Sequence, residues 1–187
     1  MIFPLLTLPY LTRVLSTDCY GSVVYVKSVT AYLQLLVDFG FVLSATKEIV
    51  RVRHDKAAQE KIMGDVLLAR LWLAGAALVI FVVLTAVLPI LRARPLLSLL
   101  SFLPVFLTLF LFDFLFRGLE RMEAIALRFV VMRGIATALT FVLIRSDADI
   151  LRIPLLDTLG SLVAVLMVFP QLHRLGVHVR LSRNASA

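Results

Sequence analysis

Charge is scarce in this sequence: Asp, Glu, Lys and Arg make up 17% of its 187 residues, against about 25% in a soluble domain. Cysteine is nearly absent, with Cys19 alone, which excludes an internal disulfide and a cysteine-ligated metal cluster. The three histidines, His54, His173 and His178, stand in basic polar segments with no carboxylate at metal-ligand spacing. The 8 glycines are dispersed, so no phosphate-cradling loop is present. No Ser/His/Asp arrangement can be singled out, and the pattern calls for no cofactor. Asn184-Ala185-Ser186 matches a glycosylation sequon by chance, on a segment expected in the cytoplasm.

Apolar side chains fill the space that charge leaves. Hydrophobic residues amount to 61% and the mean hydropathy is +1.00, more than one soluble core can hide. A disordered chain, a disulfide scaffold and an ordinary cytosolic enzyme are thereby excluded, and an integral membrane protein is expected. Five runs approach the roughly 20 residues needed to span a bilayer. They are 28–46 with Asp38, 71–91 and 96–112 with no charge, 124–144 with Arg128 and Arg133, and 153–172 with Asp157. Residues 1–12 are apolar but too short to span, and read as the outer end of a helix rather than a cleavable signal. Continuous runs, rather than alternation, favour helices over a β-barrel. The expected fold is all-α, with one partial and five full transmembrane helices over 1–175 and a basic cytoplasmic tail over 176–187.

The net charge of +7 comes from bases set between greasy runs, which argues against nucleic acid as a partner. Eleven of the nineteen bases fall in the 47–61 loop, around 117–128 and in the tail, and five fall on the opposite side. The positive-inside rule puts the eleven in the cytoplasm.

Ionisable groups inside spans are costly and are read first as functional. Lys27, Gln34 and Asp38 are 7 and 4 residues apart, so on a helix they share about 40° of arc, with Thr30 and Ala31 between them. That stripe is either the wall of a wet cavity or a set of contacts to a neighbouring helix. Val42 is expected to face lipid. Arg133, Thr137 and Thr140 form a second, weaker stripe. Arg133 lies about 13 Å deep, and its expected ion-pair partner is Asp38, Asp113 or Asp157. Arg70 is expected to snorkel to the interface, and Asp113 to pair with Arg117 four residues on. Asp157 shares a face with Gly160, Ser161 and Ala164, either as a passenger on a packing face or as a lumenal group.

Several stretches carry a family resemblance. Residues 4–16 (PLLTLPYLTRVLS) with Tyr20-Gly21, 35–56 (LLVDFGFVLSATKEIVRVRHDK), 114–122 (FLFRGLERM) and 154–162 (PLLDTLGSL) resemble the O-antigen flippases. These are polysaccharide-biosynthesis transporters of the multidrug/oligosaccharidyl-lipid/polysaccharide superfamily. Ser16, Asp157 and the stretch 114–117 depart from the usual family pattern. The resemblance implies two lobes around a central cavity and translocation of an undecaprenyl-diphosphate-linked oligosaccharide across the bacterial inner membrane by alternating access. The family has about twice as many helices, so the chain reads as an N-terminal lobe, a truncated or partial transporter. Implied partners are the lipid-linked oligosaccharide, membrane lipids, a glycan polymerase and chain-length proteins. Implied lumen residues are Lys27, Gln34, Asp38, Arg133, Thr137 and Asp157. Asp38 has the chemistry of a proton or cation coupling site. The alternatives are a drug or lipid-precursor exporter of the same superfamily, a non-transporting membrane subunit, and a membrane glycosyltransferase or polymerase. The last would need a large periplasmic loop or paired catalytic carboxylates, and neither is visible.

Overall fold

The computed structural model describes residues 2–38 and 40–177; residues 178–187 of the expected tail lie outside them. The described residues are helical with no strand. They comprise α1 (Ile2–Val14), α2 (Thr17–Asp38), α3 (Phe41–Arg51), α4 (Lys56–Val87), α5 (Pro89–Ala93), α6 (Pro95–Thr108), α7 (Asp113–Gly118), α8 (Met122–Leu143) and α9 (Arg152–Leu175). Five stretches are long and apolar enough to cross a membrane: 17–51, 56–87, 95–118, 122–143 and 152–175. The expected all-α membrane architecture is thus observed, and α1 is the short helix that precedes the five.

Local chemistry explains most boundaries. The Asp55 carboxylate accepts the Ala58 amide at 3.1 Å and caps α4. Pro89 and Pro95 open α5 and α6, where a missing N–H costs nothing. Gly40, at φ 72, separates α2 from α3 in a backbone region that glycine enters freely. Gly176, at φ 65, ends α9 with its amide on the His173 carbonyl at 3.0 Å and the Val177 amide on Leu172 at 3.3 Å.

Large apolar side chains lie on the outside as well as in the core, as lipid surroundings allow. Trp72 is 81% exposed and Tyr32 74%, while Arg70 and Arg128 are buried at 6% and 3%. The buried apolar residues form two clusters. One is built around Ile49, Met63, Phe81, Phe114 and Leu115, and the other around Leu15, Val26, Leu91, Leu97 and Ile144. Helix α9 packs on both α6 and α8, and α7 packs on α3. Gly160 permits the close approach of α9 to α8: a Cβ there would stand 2.7 Å from the Met132 carbonyl oxygen.

At the end bearing residues 144–151 the chain is tied down by polar contacts. The Tyr10 hydroxyl donates to the Ile144 carbonyl at 2.7 Å. The Ser16 amide donates to Asp147 at 2.8 Å, and the Arg145 amide to Asp149 at 3.1 Å. These amide donors, foremost among the causes, hold both carboxyls below the usual carboxylate range.

Two departures from the sequence expectations bear on the site. The run 28–46 is not one continuous helix: α2, which carries Lys27, ends at Asp38, and α3 begins at Phe41 after Gly40. The run 96–112 is not one continuous helix. After α6, residues Leu109–Leu111 tighten into a 3-10 turn, Phe112 adopts a left-handed φ of 46, and α7 begins at Asp113.

Candidate functional site: a polar cavity among the helices

Helices α2, α3, α4, α6, α7, α8 and α9 line an open-sided cavity of about 400 Å³. The face of α2 carrying Lys27, Thr30, Ala31, Gln34 and Asp38 forms one wall. Arg70 comes from α4, Ser101 and Thr108 from α6, Asp113 from α7, Arg133 from α8, and Asp157 and Ser161 from α9. Val42 also lines it, so the expectation that Val42 faces lipid is corrected. Thr137 is half-buried and is not among the lining residues.

The charges on the wall are organised into pairs between helices. Lys27 Nζ stands 2.7 Å from the Asp157 carboxylate, joining α2 to α9. The Asp38 carboxylate accepts from Gln34 Nε2 at 2.8 Å and makes a close contact with Arg70 Nη2. The Thr108 hydroxyl donates to Gln34 Oε1 at 3.0 Å, which brings α6 into the same network. Arg128 Nη2 bonds Asp113 at 2.8 Å, and its guanidinium lies over the Phe116 ring at 4.6 Å. A low-dielectric interior strengthens each contact and penalises a missing partner, so pairing of this kind is expected of charges at this depth.

Three sequence expectations are overturned here. Arg70 does not snorkel; its side chain is 7% exposed and is held by Asp38. Asp113 pairs with Arg128 rather than with Arg117, because Arg128 on α8 is buried against the start of α7. Arg133 is bonded to none of Asp38, Asp113 and Asp157, each of which pairs with another base. Among the described residues its aromatic contact is with Phe129, 5.8 Å from the ring centroid, and its side chain is exposed on the cavity.

No spacing in the sequence gives these pairs, since they join residues 130, 32 and 15 positions apart. Among the described residues the cavity offers hydroxyl, amide and carboxylate groups to a hydroxyl-rich solute and, at Arg133, a guanidinium not paired with Asp38, Asp113 or Asp157 to an anion. Among the described residues no three His, Cys, Asp or Glu side chains are grouped to hold a metal.

Comparison with known proteins gives a consistent picture. The chain is 29% identical over 164 residues to a candidate O-antigen transporter of Shigella dysenteriae, covering 87% of this chain and 41% of that protein. It is 26% identical over 164 residues to a candidate O-antigen transporter of Escherichia coli strain K12, covering 87% of this chain and 39% of that protein. The chain thus spans about two-fifths of the length of these curated relatives. No solved structure matches it. A family model described as "Polysaccharide biosynthesis protein" matches residues 1–177. Through that match over nearly its whole length, this multi-pass helical chain belongs to the polysaccharide biosynthesis protein family.

Proposed function

We propose that the chain supplies one wall of a translocation pathway that flips an undecaprenyl-diphosphate-linked oligosaccharide, such as an O-antigen unit, across the bacterial inner membrane. The observation that carries this reading is Arg133, a guanidinium on the cavity wall whose candidate carboxylates are all committed to other bases. An uncompensated cation inside a membrane is costly unless a ligand or water completes it. A diphosphate does so well, because the guanidinium fork bonds two oxygens at once. The sugar units would lie against Gln34, Thr30, Thr108 and the Lys27–Asp157 pair, which offer both donors and acceptors. Asp38 is placed to exchange its partners during transport and is the candidate coupling carboxylate.

The test is transbilayer movement of a headgroup-labelled lipid in proteoliposomes of the full-length transporter. Arg133→Ala is expected to slow movement of the diphosphate lipid by tenfold or more, on the order of the 1.5–3 kcal/mol of a charge-assisted hydrogen bond. Arg133→Lys should slow it less. A lipid-facing control, Leu35→Ile, should leave it unchanged, since Leu35 is 67% exposed. Unaltered movement in Arg133→Ala at equal protein level would remove the phosphate role.

A further inference from the structure

The break between α6 and α7 has no cause in its own sequence. Neither proline nor glycine occurs from Val105 to Arg117, and nine of these thirteen residues are Leu or Phe, which a helix accepts. Phe112 nevertheless holds φ 46, a left-handed conformation that a bulky aromatic adopts only under constraint. In an unbroken helix the Leu111 carbonyl would receive the Leu115 amide. Here the Leu115 amide is taken by the Phe112 carbonyl at 2.9 Å. The carbonyl so released is recovered from another helix: Arg128 Nη1 donates to Leu111 at 2.7 Å. Two residues earlier, Arg70 Nη1 donates to the Leu109 carbonyl at 3.4 Å. Inside a membrane a released carbonyl without a donor is costly, so two arginines from α4 and α8 stand where water would stand in a soluble protein.

We infer that residues 109–112 are a strained hinge in the 95–118 span, latched by Arg70 and Arg128 as positioning residues, and that Asp38 and Asp113 set the latch from the cavity wall. Each guanidinium divides its donors between one carbonyl of the break and one cavity carboxylate. Arg128 adds a third bond, Nε to the Ala124 carbonyl at 3.2 Å, which fixes the plane of its fork. When a carboxylate exchanges its partner, the arginine behind it loses its anchor and the carbonyl loses its donor. Phe112 is then free to return to the right-handed region, where 95–118 closes into one continuous helix. The occupancy of the cavity is thereby transmitted to the shape of its own wall. The latch belongs to the backbone break and holds whichever solute the cavity carries, so its test needs no transport.

The experiment brackets the hinge with spin labels on the full chain in lipid nanodiscs. In a Cys19→Ala background, Leu103→Cys and Arg117→Cys place exposed labels before and after the break. A second pair, Leu155→Cys and Leu166→Cys, exposed on the uninterrupted α9, serves as the control. The parent should give one narrow 103–117 distance distribution. Arg128→Gln and Asp113→Asn should each add a second population near the span of fourteen continuous helical residues, about 21 Å at the backbone. Arg128→Lys, which keeps the charge but cannot reach Leu111 and Asp113 together, should add a smaller one. The inference is overturned if folded Arg128→Gln and Asp113→Asn keep the parent distribution. It is equally overturned if the α9 pair broadens in step with the hinge pair, since that would mark general loosening. Should Arg128→Gln not insert, the near-isosteric Asp113→Asn decides alone.

Discussion

Substituting Gly118 by alanine sets two effects of opposite sign against each other. Gly118 is the last residue of α7, at a φ that any residue can adopt, so helix propensity alone favours alanine by up to about 1 kcal/mol. Packing opposes it. A Cβ at 118 would stand 2.5 Å from Ile49 Cγ2, 2.7 Å from Ile49 Cβ and 3.2 Å from the Thr46 carbonyl oxygen. Carbon atoms prefer about 3.5–4.0 Å, so α7 and α3 would have to part by roughly 1 Å. Ile49 is fully buried and β-branched, and its Cβ cannot rotate away. Overpacking of this kind costs about 1–3 kcal/mol, so sterics win and the variant should be destabilised by about 1–2 kcal/mol. Gly75 is the internal reference: it lies inside α4, has nothing within 4 Å of its missing Cβ, and should gain about 0.5–1 kcal/mol as alanine. Both are measured by reversible unfolding in mixed micelles. The cycle with Ile49→Ala should show coupling of at least about 0.5 kcal/mol, since truncating Ile49 removes the Cγ2 contact. If Gly118→Ala is as stable as Gly75→Ala, the close approach of α3 and α7 is refuted.

Asp38→Asn should destabilise the fold by about 3 kcal/mol, the lower part of the range for breaking a buried pair, because Asp38 is 31% exposed while Arg70 is 7% exposed. Adding Arg70→Met should recover part of that loss, and a double variant no better than the single one would show that the charge pair is not the source. The contacts of Asp147 and Asp149 should respond to acid. Both folded-state pKa values are depressed, so the stabilisation is complete above the ordinary carboxylate range near pH 4 and is lost as pH falls through the lowered values. The amide resonances of Ser16 and Arg145 should move together in that acid window, and a shift centred above pH 5 would contradict the assignment. For topology, a Lys56→Cys, Cys19→Ala variant should resist a membrane-impermeant thiol reagent applied from the periplasm, and rapid labelling would invert the orientation.

Part of the site was legible because membrane physics makes rare residues conspicuous. Lys27, Gln34 and Asp38 share a helix face by spacing alone, and all three line one cavity. The snorkelling of Arg70 and the partner of Asp113 were misread because both depend on segments that no local pattern brings together. Arg70, fourteen residues into α4 and close to its charged start, resembles an interfacial arginine until Asp38 and the Leu109 carbonyl are placed against it. The pairing Asp113–Arg117 satisfies helical spacing, yet Arg128, held by the Ala124 and Leu111 carbonyls, bonds the Asp113 carboxylate.

By itself the sequence determined that this chain lives in a bilayer and crosses it as helices. Long uncharged runs have no other stable home, and lipid leaves the backbone no other hydrogen-bond partners. Only the tertiary structure decided which bases Asp38, Asp113 and Asp157 pair with and where the 95–118 span breaks. Both depend on distances between segments far apart along the chain. An ion pair in a low-dielectric interior is selected by which helices touch, and Phe112 stays in its strained conformation where arginines from two other helices hold the carbonyls beside it.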